Sequence, residues 1–304
     1  MGWTLPPLPD RLLLADLCAA ASRRERVNPL LVEKDFHLTR LLAALHQRLG
    51  ASVLLKGGTL LSKVDLGFFR MSEDVDLVLD GEPSRRGQAN AARMEPLRTA
   101  LCELAPLLGA ALPLPGGERH ERNSHVVWML KYGSNLGKQE IQVEARIHPV
   151  MRATRRVGLR QLLEDPLLGD YAGARCQALS AAEARAEKVR AAFQREAGRD
   201  FYDLQRLMEA RADLSSPAFV GLVDKKLAEV GFAPLAKQGP RLALDRKRLR
   251  DLEVSIRRDL PPVLREDARP FDLEAMLHRF EGLWPHDRAR RGQQYLPGRG
   301  RGRG

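Results

Sequence analysis

Between residues 51 and 80 the hydrophobic period changes twice, and this constrains the fold more than any other feature of the chain. "ASVLL" (51–55) is a short continuous apolar run, the signature of a buried strand. Gly57-Gly58 interrupts it, "GTLLSKVDLG" then has the spacing of a short helix that starts at Thr59 and ends at Gly67, and "SEDVDLVLD" (72–80) returns to a strand. A strand, a glycine turn, a helix and a second strand within about thirty residues require a sheet with helices packed on it, which excludes an all-helical bundle. On the second strand Asp74 and Asp76 are two apart, so both project from one face while Val75 and Leu77 point to the other.

The neighbouring segments fit that frame. Asp10 caps a helix over "DRLLLADLCAAA", and Asn28 with Pro29 starts another over "NPLLVEKDFHLTRLLAAL". Residues 92–110 read as a helix and Pro113 to Gly117 as a loop. "HVVWMLKYG" (125–133) and "KQEIQVEARIH" (138–148) form a hairpin around "GSNLG". From about 156 to about 283 helical periodicity dominates, with breaks near Ser215 to Pro217, Gly239-Pro240 and Pro261-Pro262. The expectation is a mixed α/β fold in four parts: an N-terminal helical segment (1–50), a core with a mixed sheet (51–155), a C-terminal helical bundle (156–285) and a disordered Arg/Gly tail (286–304).

Composition narrows the setting. No apolar stretch reaches the roughly 20 residues that cross a bilayer, the longest (101–115) being broken by Glu103, Pro106 and Pro113. No secretory signal is visible, and Cys18, Cys102 and Cys176 form neither a CxxC pair nor a disulfide framework, so a reducing cytoplasm is expected. A formal charge of +11, carried by 50 basic against 39 acidic residues, favours a polyanionic partner such as RNA. The clusters "RRVGLRQ", "DKKLAEV" and "DRKRLRDLEVSIRRD" are the candidate surface for it, although 40 of the 50 cations are arginines, a skew that codon composition also produces.

The glycine turn and the paired aspartates suggest the chemistry. Gly57 and Gly58 lie before a helix whose free N–H groups and dipole stabilise an anion, with Thr59 as cap and hydroxyl donor; the missing GxxxxGK[ST] excludes a P-loop. Two carboxylates on one strand face repel unless a cation lies between them, and a hard divalent ion that also binds phosphates is the simplest remedy. Gln142, Glu144, Arg146 and His148 share one face of their strand; if that strand lies beside the aspartates, Glu144 completes a two-metal site and acts as general base. The histidines, His120 and His125 among them, have no metal-ligand spacing and are expected to be structural or exposed.

"KGGTLLSKVDLGFFRMSEDVDL" closely resembles the AbiEii/MenT-type nucleotidyltransferase toxins of type IV toxin–antitoxin systems, with Arg70, Ser72, Asp74 and Asp76 matching an Arg-x-Ser-x-Asp-x-Asp stretch in order. "VEKDFHLTRLL" (32–42) and "AEKVRAAFQREAGRDFYDLQRL" (186–207) resemble the flanking blocks, so the likeness covers roughly residues 30–210. It implies a minimal nucleotidyltransferase fold, transfer of a nucleoside monophosphate from an NTP with Mg2+, and a cognate antitoxin encoded nearby. The tRNA acceptor end is the implied target, with a block of translation as the result. A protein or small-molecule hydroxyl as acceptor, and a catalytically silent nucleic-acid-binding protein, are the alternatives. By position, Gly57, Gly58, Thr59, Arg70 and Ser72 would bind the nucleotide, Asp74, Asp76 and Glu144 the metals, and Lys188 a phosphate. Asp200, ahead of Asp203, would complete the last motif; Ala192 departs from the Asp or Thr common four residues after the lysine.

Overall fold

The computed structural model describes residues 4–111, 119–121, 123–137, 139–235, 245–268 and 270–283. Helix α1 (Arg11–Glu25) starts at Asp10, whose carboxylate accepts from the Leu12 and Leu13 amides. Helix α2 (Pro29–Leu49) starts at Asn28 with Pro29 in its first turn. Strand β1 (Leu54–Lys56) is shorter than expected because residues 50–52 form a single 3-10 turn. Helix α3 (Gly57–Leu60) widens into a π-turn over Leu61–Asp65 and leads through Gly67, at φ 67°, towards β2 (Asp74–Asp80).

Helix α4 (Gly87–Leu104) precedes β3 (Ala110–Ala111), β4 (Arg119–Glu121) and the hairpin β5 (His125–Tyr132) and β6 (Gln139–His148). Two further strands follow, β7 (Arg155–Gly158) and β8 (Arg175–Ala178). The remaining helices are α5 (Ala181–Gln194), α6 (Gly198–Glu209), α7 (Pro217–Ala228), α8 (Arg246–Asp259) and α9 (Leu273–Glu281). The helical reading from residue 156 therefore holds only from Ala181. "RRVG" and "RCQA" are too short and too polar to show a strand period, and they join the sheet because β1 leaves an edge for β8 to pair. The expected break before Pro217 is a helix start capped by Ser216. The 113–117 loop, the Gly239-Pro240 break and the tail over 286–304 lie outside the described residues.

Eight strands form one mixed sheet in the order β3-β5-β6-β2-β1-β8-β7, with β4 beside β5. β2 runs parallel to β6 and β1 parallel to β8, while β1–β2, β5–β6 and β7–β8 are antiparallel. Leu55, Leu77 and Cys176 point to one face, under α2. Val78, Arg146 and His148 point to the other, towards α5 and α7. Within the described residues no helix is long and apolar enough to cross a membrane, and the three cysteines are free.

The "VEKDFHLTRLL" block anchors α2 through polar contacts. The Asp35 carboxylate accepts from Lys63, and its second oxygen from the Leu162 amide at 3.0 Å, with both side chains almost fully buried. Arg40, also buried, donates to the carbonyls of Pro6 (2.9 Å) and Leu107 (3.2 Å) and to the Tyr171 hydroxyl. These contacts tie the N-terminal segment and the loop before β8 to the helix beneath the sheet.

Candidate active site

Strand register places the carboxylates. Asp74 stands beside Gln142 and Asp76 beside Glu144 across the parallel β2–β6 pair, and Lys56 of β1 stands on the other side of Asp76. Lys56, Asp76 and Glu144 thus form one row on the α5 face, the adjacency on which the reading of Glu144 depended. Lys56 was missed by the sequence reading although it opens the "KGGT" turn; only the β1–β2 pairing sets it against Asp76. It forms no ion pair among the described residues.

Gly57 and Gly58 have a more local purpose than admitting an anion. Gly57 has φ 73°, and a Cβ on it would lie 1.9 Å from Asp76 Oδ2; a Cβ on Gly58 would lie 2.5 Å from Arg70 Nη2. The glycines let the carboxylate and the guanidinium pack directly on the turn. Gly57→Ala is therefore expected to push Asp76 aside. It should cost roughly 1 kcal/mol of stability from the left-handed backbone, and transfer activity on the order of 10²-fold from the misplaced carboxylate. Activity assays alongside urea melts check this, and a variant with full activity would contradict the packing argument.

Burial, reinforced by Asp76 and Glu73, pushes the Asp74 carboxyl up to about 6. Burial likewise raises Asp76, with Glu144 adding to it and Lys56 and Lys188 opposing. Neither carboxylate has a hydrogen-bond or ion-pair partner among the described residues, so the pair is a donor set that fits a hard divalent cation. Glu144 differs. Burial acts to raise it, but Lys56, His125 and Arg146 outweigh burial and hold it low; His125 Nε2 and Arg146 Nε both lie 3.1 Å from its Oε1. His125, expected to be structural or exposed, is thus part of the site's electrostatics.

Thr59 is not the helix cap. The helix begins at Gly57, and the buried Thr59 hydroxyl donates to the Asp74 backbone carbonyl. Its oxygen lies 2.8 Å from Ser72 Oγ, so Ser72 is the donor in that pair. The two hydroxyls thereby fix the start of β2 on α3.

Lys188 is not a solvated surface lysine. It is 7% exposed and pairs with Asp200 at 2.8 Å and Asp203 at 2.7 Å. Arg70 donates to both oxygens of Asp203, at 2.6 and 2.8 Å, and Arg195 reaches Asp200 from the rim at 2.6 Å. Burial opposes ionisation of Lys188, but Asp200 and Asp203 outweigh it and raise the ammonium. Three cations face two carboxylates in this network, and the surplus positive charge reaches Asp76. Asp200 and Asp203 therefore both orient Lys188. Ala192 is fully buried in the core.

A second acidic group lies further along the same sheet face. His148, Glu187 and Glu229 have ligand atoms within 4.8 Å of one another, the one such group found among the described residues. Its two carboxylates share the buried Lys226 ammonium, 3.1 Å from Glu187 and 3.7 Å from Glu229, with Glu183 at 2.8 Å. The basic α8 surface is also less open than its sequence suggests, since Arg248 pairs with Glu196 and donates to the Phe193 carbonyl at 3.0 Å.

A family model described as "Nucleotidyl transferase AbiEii toxin, Type IV TA system" matches residues 40–286. No curated protein sequence matches significantly. Among solved structures the chain is similar to MenT4, a nucleotidyltransferase toxin from Mycobacterium tuberculosis, at 20% identity and a TM-score of 0.63, covering 91% of this chain and 88% of that one. It also aligns with JHP933 from Helicobacter pylori at 14% identity and a TM-score of 0.49, over 84% and 91% of the two chains.

Proposed function

Because the chain belongs to the AbiEii family of nucleotidyltransferase toxins, an enzyme family of type IV toxin–antitoxin systems, we propose that it transfers a nucleoside monophosphate from an NTP to the acceptor end of tRNA in the cytoplasm, blocking translation. Family membership also implies a cognate antitoxin. The observation that carries the proposal is the pair Asp74 and Asp76, without a hydrogen-bond or ion-pair partner among the described residues, beside a cation-rich network. Asp74 and Asp76, with Glu144 beside Asp76, would hold two Mg2+ ions, which would supply the positive charge that offsets the NTP phosphates and activates the α-phosphorus.

The protein's own groups supply the rest. The acceptor hydroxyl attacks the α-phosphorus, the bond to the bridging oxygen of the β-phosphate breaks, and pyrophosphate leaves with that electron pair. The surplus positive charge of Lys188, Arg70 and Arg195, together with Lys56 beside Asp76, favours the triphosphate and its departing pyrophosphate. Glu144, kept ionised by Lys56, His125 and Arg146, takes the acceptor proton. Gly57, Gly58, Thr59 and Ser72 hold the turn that keeps Asp74 and Asp76 in place.

Incubation of the purified chain with each labelled NTP, Mg2+ and total RNA tests the acceptor. Label in the tRNA band is expected, and label in protein or small molecules alone would overturn the RNA assignment. In a bacterium, expression of the chain alone is expected to arrest growth and Asp74→Ala to relieve the arrest, as read from growth curves over a range of induction. Equal growth of wild type and variant would count against toxicity.

A further inference from the structure

A cavity of about 170 Å³ opens on the α5 face of the sheet, bounded by α5, α7 and the segment that leaves β6. Its floor is Val78 and Arg146, which pair across β2 and β6 in the row directly after Asp76 and Glu144 on the same face. Two of its lining residues already belong to the site: Lys56 stands against Asp76, and Arg146 donates to Glu144. The cavity is therefore the inward continuation of the carboxylate row.

Its lining indicates the chemistry of an occupant. Val78, Val150, Leu179 and Val230 supply apolar walls. The cations are already matched by acids: Arg190 lies 2.7 Å from Glu187 and Lys226 lies 2.8 Å from Glu183, while His148 Nε2 lies 2.9 Å from Glu229. Only Lys56, at the edge shared with the carboxylates, has no ion pair among the described residues. Such an interior disfavours a phosphate and suits a flat, neutral group with hydrogen-bonding edges between apolar faces. At about 30 Å³ per water, the volume holds about five or six waters, the scale of one heterocyclic ring system and not of a polymer.

The geometry points to this cavity as the site for the base of the incoming NTP, with the triphosphate at the Lys56 edge beside Asp74 and Asp76 and the base read by the Glu187 and Glu229 carboxylates and the Arg190 guanidinium. The inference rests on the nucleotidyltransferase reading and adds to it the surface that selects among NTPs. Selection follows because a base that draws a partly exposed carboxylate or guanidinium from its ion-pair partner without replacing the hydrogen bond forfeits affinity.

Equilibrium titration of the full chain with the four NTPs and with inorganic tripolyphosphate, in Mg2+ and without acceptor, tests it. The wild type is expected to discriminate among the NTPs. Val150→Trp and Val230→Trp, both at partly exposed positions on separate walls, should each weaken the preferred NTP at least about tenfold and level the differences, with tripolyphosphate binding unchanged. Glu229→Gln, which keeps the volume, should alter the order of preference. Folded filling variants that bind and discriminate like wild type would overturn the base site while leaving the transferase reading intact. A wild type that binds neither NTP nor tripolyphosphate would overturn both.

Discussion

Asp76→Asn is expected to abolish nucleotidyl transfer and to leave the protein at least as stable as the wild type. The substitution keeps the shape that packs on Gly57 and removes one charge from the row Lys56, Asp76, Glu144. Catalytic loss of about 10²–10³-fold or more is the scale for removing one charge-stabilising group from such a site. The stability forecast follows from the same geometry. Among the described residues Asp76 has no hydrogen-bond or ion-pair partner, and burial, with Glu144 adding to it against Lys56 and Lys188, raises its carboxyl, so the ionised form is a burden on the fold. Neutralising it relieves repulsion with Asp74. Transfer assays with thermal melts on the same samples check both halves; a clear fall in melting temperature would make the activity loss uninterpretable as catalysis.

The largest stability effect is expected at Asp203. It is fully buried and accepts from Arg70 and Lys188, which are 3% and 7% exposed. Asp203→Ala strands Arg70 in the interior and leaves Lys188 with Asp200 alone, a loss of about 3–5 kcal/mol, because one partner of a buried ion pair left alone keeps its desolvation cost. Urea denaturation measures this. A midpoint near wild type would mean that water or Asp200 takes over both cations. The network also sets an acid limit. Burial acts to raise Asp200, but Lys188 and Arg195 outweigh it and hold its carboxyl well below the usual carboxylate range. Glu187 is held at about 2, where Arg190 and Lys226 outweigh burial. Folded pKa values below the unfolded ones mean that this stability is fully present above about pH 4, the ordinary carboxylate value, and is lost as pH falls towards 2.

Local periodicity made much of this site legible. Two-residue spacing put Asp74 and Asp76 on one strand face and Glu144 on the polar face of its own strand, because side-chain alternation needs no knowledge of the partner strand; that the two faces coincide came from the β2–β6 register. Partner-dependent features were not legible. Lys56 and His125 become part of the site only through the β1–β2 and β5–β6 registers. Asp200 and Asp203 read as neighbours on one helix, but the Arg70 that holds Asp203 is 133 residues away in sequence, and no local pattern encodes that distance. Thr59 was misread as a cap because a Thr after Gly-Gly has the right local chemistry, whereas its hydroxyl is drawn to the Asp74 carbonyl by packing of α3 on β2. β7 and β8 were missed because four-residue strands with one or two apolar side chains carry too little period to separate from loop.

The central claim, that Asp74 and Asp76 carry metal-dependent nucleotidyl transfer, is tested most directly by following pyrophosphate release and label incorporation together for the purified full chain. The assay uses a labelled NTP and RNA, with Mg2+ and with excess chelator, beside Asp74→Ala and Asp76→Asn. The account predicts matched pyrophosphate and incorporation for wild type with Mg2+, and neither product with chelator or from either variant. Transfer that persists in chelator, or in either folded variant at the wild-type rate, would contradict it.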